Sequence, residues 1–550
     1  MSRGGAPRMD IQTSGLLRSE VDKSYISLDE TPGNGGSLGQ ALLSDIEDPT
    51  TDDFSQQVVG APGAYHDRRW AYAFKANVVM IIVSAFCFGS QALEAISSDQ
   101  MLGGLGERRL SGESDTYTWV PLFFVGLGLV ALGGGLALGI LHALINCGMP
   151  IMWTLMALIV LSWLSMILKF AASGNIVGAA LFVLFLYLSV RFFQHRKARF
   201  HFGATNLKVA AMAVKSMPGI MFTSLLMGGV QLLWMLVSLV AAMGSYSALE
   251  TVEGSNGSMY RAIYCESRQS GRDQGCFCEN EKVSLGTCDY RGLGFPLMVF
   301  WLVTMGWGCL VIQNVVTSTV SGSVAAWWFS RNDTKPVKGA LYRALYVSFG
   351  TLCKAAAIVT MVRLFFSAVR HALRRVPAPL RVFFNCIFRL VEDALEYFLS
   401  YVVTFVGIYG LDFDSAVRRV RDVFTEKGLA TLRNDIIVDL AIFFVAFSAS
   451  LVFVLVSCFV LFNLYAVNMV WGFQSLSLFV YGYIGFWVMM TTVLEVVRSA
   501  VKAVFVCFVQ DPEVLKVTHG DELYNELTAA WAKIRPQDSR SEFRPEVNSV

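Results

Sequence analysis

Charge is scarce in this chain. Only 16% of its 550 residues are Asp, Glu, Lys or Arg, against about 25% in soluble domains. Histidine is scarcer still, with six residues: His66, His142, His195, His201, His371 and His519. None stands in an H-E-x-x-H or other paired ligand spacing. No P-loop GxxxxGK[ST] and no dinucleotide G-x-G-x-x-G follows a strand, which argues against an ATP-driven pump. The potassium-filter sequence TVGYG is missing. Residues 1–70 lack the apolar core of a cleavable signal peptide, so the first crossing helix is expected to act as the insertion signal. No repeat on the scale of a soluble array is evident. The net charge of +2 leaves no electrostatic footprint for nucleic acid. These absences lead to the expectation of no enzyme activity, no cofactor, no metal and no nucleic-acid partner.

Apolar sequence is what the chain has in excess. Hydrophobic residues make up 54%, and mean hydropathy is +0.52. Ten apolar segments stand at 76–98, 120–143, 151–171, 175–194, 218–243, 295–318, 345–369, 386–409, 436–463 and 473–508. A helix needs roughly 20 apolar residues to cross about 30 Å of hydrocarbon. The fold class expected is an all-α polytopic membrane protein with about ten transmembrane helices. Three parts follow: a disordered cytosolic tail at 1–70, a transmembrane domain at 71–510 and a cytosolic tail at 511–550. The first is rich in Gly, Ser, Thr, Asp and Glu, too polar to bury a core.

Cations set the orientation. Arg68, Arg69 and Lys75 precede the first segment. Basic clusters follow the fourth (Arg191, Arg196, Lys197, Arg199), the sixth (Arg331, Lys335, Lys338) and the eighth (Arg418, Arg419, Arg421). All fall inside if both termini are cytosolic. The loop at 370–381, with Arg370, Arg374, Arg375 and Arg381, breaks the pattern: either the loop violates the positive-inside bias, or the seventh segment is re-entrant or amphipathic. Ten crossings are retained here.

The loop at 244–293 is then extracellular. Four of the eleven cysteines, Cys265, Cys276, Cys278 and Cys288, fall within 24 of its residues. They read as two disulfides of open connectivity in an oxidising compartment. A single residue between Cys276 and Cys278 does not suit zinc. Asn256-Gly257-Ser258 is an N-glycosylation acceptor on the same side.

Two groups of residues are candidates for function. Glu495, Arg498 and Lys502 share one helix face at i, i+3 and i+7, and read as a salt bridge or a gate. Deep aromatic residues, Trp301 and Trp307 on the sixth segment with Tyr483 and Trp487 on the tenth, suit an organic cation, because a ring face attracts a cation that has no hydrogen-bond donor.

Several stretches of the second half resemble one family. Ser321 to Phe329 is a small-residue run ending in aromatics. Arg343-Ala344-Leu345 with Phe349-Gly350-Thr351 forms a second block. Ile408-Tyr409-Gly410, Phe413 and Ser415-Ala416 form a third. Phe505-Val506-Cys507-Phe508-Val509-Gln510-Asp511-Pro512-Glu513 forms the last, followed by Glu522-Leu523-Tyr524. In order and spacing these are similar to the choline transporter-like family of solute carriers, nearest its fungal, plant and protist branch. The resemblance covers about residues 295–530. It implies a choline transporter-like fold and a carrier of choline or a similar small organic cation, driven without ATP, in the plasma or an organelle membrane. Alternating access is the mechanism expected. A non-transporting membrane scaffold or signalling protein and an ion channel are the competing classes. The oligomeric state stays open.

Overall fold

A computed structural model of the chain describes residues 65–97, 119–253, 259–261, 265–270, 273–278, 283–285, 290–329, 335–375, 377–427, 432–466 and 472–533. Asn256 and Cys288 lie outside the described residues. Thirteen α-helices account for most of the described chain. They are α1 (Arg68–Ser97), α2 (Trp119–Ala172), α3 (Ile176–Ser216), α4 (Gly219–Leu249), α5 (Gly294–Phe329), α6 (Pro336–Tyr342), α7 (Phe349–Ala372), α8 (Ala378–Tyr409), α9 (Phe413–Lys427), α10 (Leu432–Ala466), α11 (Gly472–Gln510), α12 (Glu513–His519) and α13 (Asp521–Ala532).

The bundle is greasy on the outside. Phe86 is 90% exposed, and Leu455, Phe459 and Phe462 are each at least 70% exposed. Such a surface is stable only against lipid, so the protein is an integral multi-pass membrane protein. Among the described residues six helices are long and apolar enough to cross, or seven if the bent α8–α9 pair counts as one span. The figure of ten is therefore approximate. The clearest difference from the sequence reading lies at 120–143 and 151–171. These two segments form the single 54-residue helix α2, of which Phe124–Ala143 qualifies as a span and Val160–Ala172 is shorter. Apart from Gly148 and Pro150, the connecting residues offer no turn sequence, and the helix runs on through them. The ambiguous seventh segment is a full-length apolar helix, α7.

Between α4 and α5 the chain makes six short strands: β1 (Glu250–Glu253), β2 (Met259–Arg261), β3 (Cys265–Ser270), β4 (Asp273–Cys278), β5 (Val283–Leu285) and β6 (Tyr290–Gly292). They form two antiparallel sheets, ordered β2-β1-β6 and β3-β4-β5. The register of β3 on β4 sets Cys265 directly opposite Cys278. Glu250, 4% exposed, accepts the Phe295 backbone N–H at 2.9 Å, supplying a cap to the first turn of α5.

The opposite end is closed by the chain's own extensions. Asp67 sits at φ 51°, and its carboxylate accepts from Thr351 Oγ1 at 3.1 Å and Lys354 Nζ at 3.3 Å. Lys354 also pairs with Asp414 at 3.2 Å. This pins the start of α1 to α7 and α9. The α8–α9 bend of 112° turns at Gly410, whose φ of 69° is the left-handed C-cap that glycine adopts at no steric cost. The stretch at 511–550, read from sequence as a tail, carries α12 and α13. His519 stacks on Trp327 with centroids 3.8 Å apart, and Trp531 packs on Phe202 of α3 at 5.2 Å.

Candidate functional site

The site is assembled where α1, α4, α5 and α7 meet. Phe74 of α1 lies 5.9 Å from Trp234, 5.3 Å from Trp307 and 5.8 Å from Phe349, measured between ring centroids. The two indoles are fixed by their own N–H groups. Trp234 Nε1 donates to the Met305 carbonyl at 3.1 Å, and Trp307 Nε1 donates to the Cys353 carbonyl at 3.2 Å. With the edge atoms committed, the electron-rich faces are left for other contacts. Gly308 makes the arrangement possible, because a Cβ there would overlap the Trp234 indole. Phe349 follows a single π turn at Arg343–Val347, a wide turn of the kind often found at functional sites.

Buried polar atoms lie on the helices that form this junction. Asn77, one turn along α1 from Phe74, is 2% exposed, and neither its amide nitrogen nor its oxygen has a hydrogen-bond partner among the described residues. Ser84 Oγ on α1, Ser238 Oγ on α4 and Trp301 Nε1 on α5 are also buried, with no partner among the described residues. Such groups inside a bilayer cost free energy unless water or a ligand satisfies them. Trp301 belongs to the cluster with Ile81, Ala241 and Ala242 that adjoins Trp234.

A second polar feature runs along α11. Thr492 donates to Gln231 Oε1 of α4 at 3.0 Å. One turn on, Glu495 accepts from Thr317 at 3.1 Å, from Ser499 at 3.2 Å and from Arg498 at 3.0 Å. Arg498 also binds Asp439 of α10 at 2.7 Å. One turn further, Lys502 donates to Ser400 of α8 at 2.8 Å. The eleven residues from Thr492 to Lys502 span about 15 Å of helix. They give α11 one polar face toward its Gln510 end.

The sequence candidates separate in space. Trp301 and Trp307 both line the α1–α4–α5 junction. Tyr483 and Trp487 stack on each other with centroids 6.5 Å apart, beside Phe453 and Phe486, and Trp487 is 42% exposed. They are not brought to the first pair. Glu495 and Arg498 do pair, but with Asp439 as the third member, and Lys502 takes no part in that ion pair. Sequence reasoning missed Phe74, Asn77, Gln231 and Trp234. The available signal was a carboxamide inside an apolar run, at Asn77 and again at Gln231.

A family model described as "Plasma-membrane choline transporter" matches residues 176–513. A CTL-like protein of Dictyostelium discoideum is 30% identical over 229 residues, 40% of this chain and 40% of that protein. The protein PNS1 of Kluyveromyces lactis is 25% identical over 385 residues, 67% of this chain and 64% of its own length. PNS1 of Saccharomyces cerevisiae is 24% identical over 418 residues, 72% of this chain and 70% of its own length. The match thus spans less than two thirds of the first two relatives.

Proposed function

The chain belongs to the choline transporter-like family, and from that premise we propose that it carries choline or a closely related small organic cation across a membrane by alternating access. The observation that supports this reading best is the pairing of Asn77 with an aromatic surround. A quaternary ammonium has no hydrogen-bond donor, so it is held by ring faces. Choline also carries one hydroxyl, which needs a polar partner inside an apolar site. The Trp234 and Trp307 faces suit the first group, and the unpartnered amide of Asn77 suits the second. Phe74 fills the space between the indoles in this conformation. In the proposed cycle its ring moves aside to admit the ammonium group, and Trp301 borders the same junction.

The polar face of α11 continues the route. Glu495, Arg498 and Asp439 form the proposed gate, because the Arg498–Asp439 pair joins α10 to α11 and must break if the two helices move apart, while Glu495 holds Arg498 from within α11. On this reading the basic loops and both termini are cytosolic, in the plasma membrane. The sheet-bearing segment faces outward, with its cysteines oxidised and a glycan at Asn256.

Purified protein in liposomes tests the proposal. Saturable uptake of labelled choline above empty liposomes is expected, with a large loss in Trp234→Ala. Folded protein that gives no choline flux refutes the substrate assignment. Single-channel currents in a planar bilayer would identify a channel instead.

A further inference from the structure

We propose that the faces of Tyr397 and Tyr401 form a cation cage at the Gln510 end of α11, filled in this conformation by the Lys502 ammonium and by a small organic ammonium ion when Lys502 withdraws. The inference rests on the reading of the chain as a carrier of organic cations, and it adds a second stop on the route.

Lys502 is 4% exposed. Among the described residues its Nζ has one hydrogen bond, to Ser400 Oγ at 2.8 Å, and lies 5.7 Å and 5.9 Å from the ring centroids of Tyr397 and Tyr401. No carboxylate among the described residues pairs with it. Glu495, on its own helix face, and Asp439 are both engaged by Arg498. A buried ammonium without an anion is unfavourable inside a membrane protein. Here the compensation comes from ring faces within about 6 Å, the contact that also recognises organic ammonium ligands.

The cage is built rather than incidental. Tyr397, Ser400 and Tyr401 share one face of α8 at i, i+3 and i+4. Tyr401 is 2% exposed and is held edge-on by Phe424 at 5.4 Å and by Phe505 at 6.4 Å. Tyr397 lies against it at 5.2 Å. A cage without an acid favours a soft, weakly hydrated cation over sodium, whose hydration shell rings cannot replace. A quaternary ammonium has no N–H group to satisfy and so does not need Ser400. The Lys502 head sits on a flexible four-carbon stem, able to leave the cage without moving α11. Two like charges do not share one cage, so arrival of the cargo and departure of Lys502 are coupled.

Full-length protein in lipid nanodiscs provides the test, with tetramethylammonium as the probe. Lys502→Met keeps the stem and removes the charge. We expect it to bind tetramethylammonium at least tenfold more tightly than wild type, and the gain to vanish in K502M/Y401L. Equal affinity in wild type and K502M, or a gain that survives Tyr401→Leu, overturns the proposal. Should K502M fail to fold, Lys502→Cys is labelled with a trimethylammonium-bearing thiol reagent against a wild-type background. Tetramethylammonium is expected to slow that labelling, and unaltered labelling overturns the cage. These are binding readouts. A positive result with no choline flux would leave the cage standing and remove the transport reading.

Discussion

Replacing Asn77 with leucine separates a packing role from a ligand-binding one. Both polar atoms of the Asn77 side chain are buried and unpartnered among the described residues, and leucine has nearly the same shape without them. Relieving a buried amide of its unmet hydrogen bonds is worth about 1–3 kcal/mol. The ligand-free Asn77→Leu protein should therefore unfold at a higher temperature than wild type. Ligand binding should respond in the opposite sense. A neutral hydrogen bond between the amide and a ligand hydroxyl contributes about 0.5–1.5 kcal/mol, a loss of roughly two- to twelve-fold in affinity. Choline has that hydroxyl, and tetramethylammonium does not. The expected pattern is higher apo stability by thermal unfolding, weaker choline binding by calorimetry and tetramethylammonium affinity within a factor of two. Lower stability with unchanged choline affinity would mean that the amide serves the fold. Equal weakening of both ligands would mean that the whole junction has been disturbed.

Three further outcomes are expected. Gly308→Ala should push the Trp234 indole off the Met305 carbonyl. The overpacking costs about 1–3 kcal/mol, seen as a lower unfolding temperature with a change in tryptophan fluorescence that Gly306→Ala, where a Cβ meets nothing, does not produce. Asp67→Ala should destabilise more than Asp67→Gly in denaturation experiments, by about 1 kcal/mol. Both lose the contacts to Thr351 and Lys354, but only glycine relieves the positive φ; equal losses would show that the backbone there is unstrained. Cys265 and Cys278 are opposite each other in an antiparallel ladder, where Cα atoms lie about 4.5–5.5 Å apart, within disulfide reach. Peptide mapping without reductant should recover that link, which leaves Cys276 to Cys288, and a Cys265–Cys276 link would contradict the register.

The bundle was legible because bilayer-length apolar runs have few other uses. The boundary between two runs was not: nothing between 143 and 151 forces a turn except Gly148 and Pro150, and α2 continues through both. The strands at 250–292 were invisible because each has three to six residues, too few to show alternation. Within the site, local spacing was readable and long-range partnership was not. Glu495 and Arg498 pair across one turn of helix, whereas Asp439 comes from another helix, 59 residues away in sequence. Lys502 shares their face but lies a turn beyond, where α8 supplies tyrosines instead of acids. Aromatic residues were too plentiful for sequence alone to select Trp234. Its place follows from the space at Gly308, a contact between helices.

The most direct test of the account is a density map of the protein with choline bound. The account predicts the ammonium group at the α1–α4–α5–α7 junction, within about 6 Å of the Trp234 and Trp307 rings, with Phe74 displaced and the choline hydroxyl on the Asn77 amide. Choline seated instead between α10 and α11 beside Tyr483 and Trp487, or an unaltered Phe74–Trp307 contact in the ligand-bound protein, would contradict it.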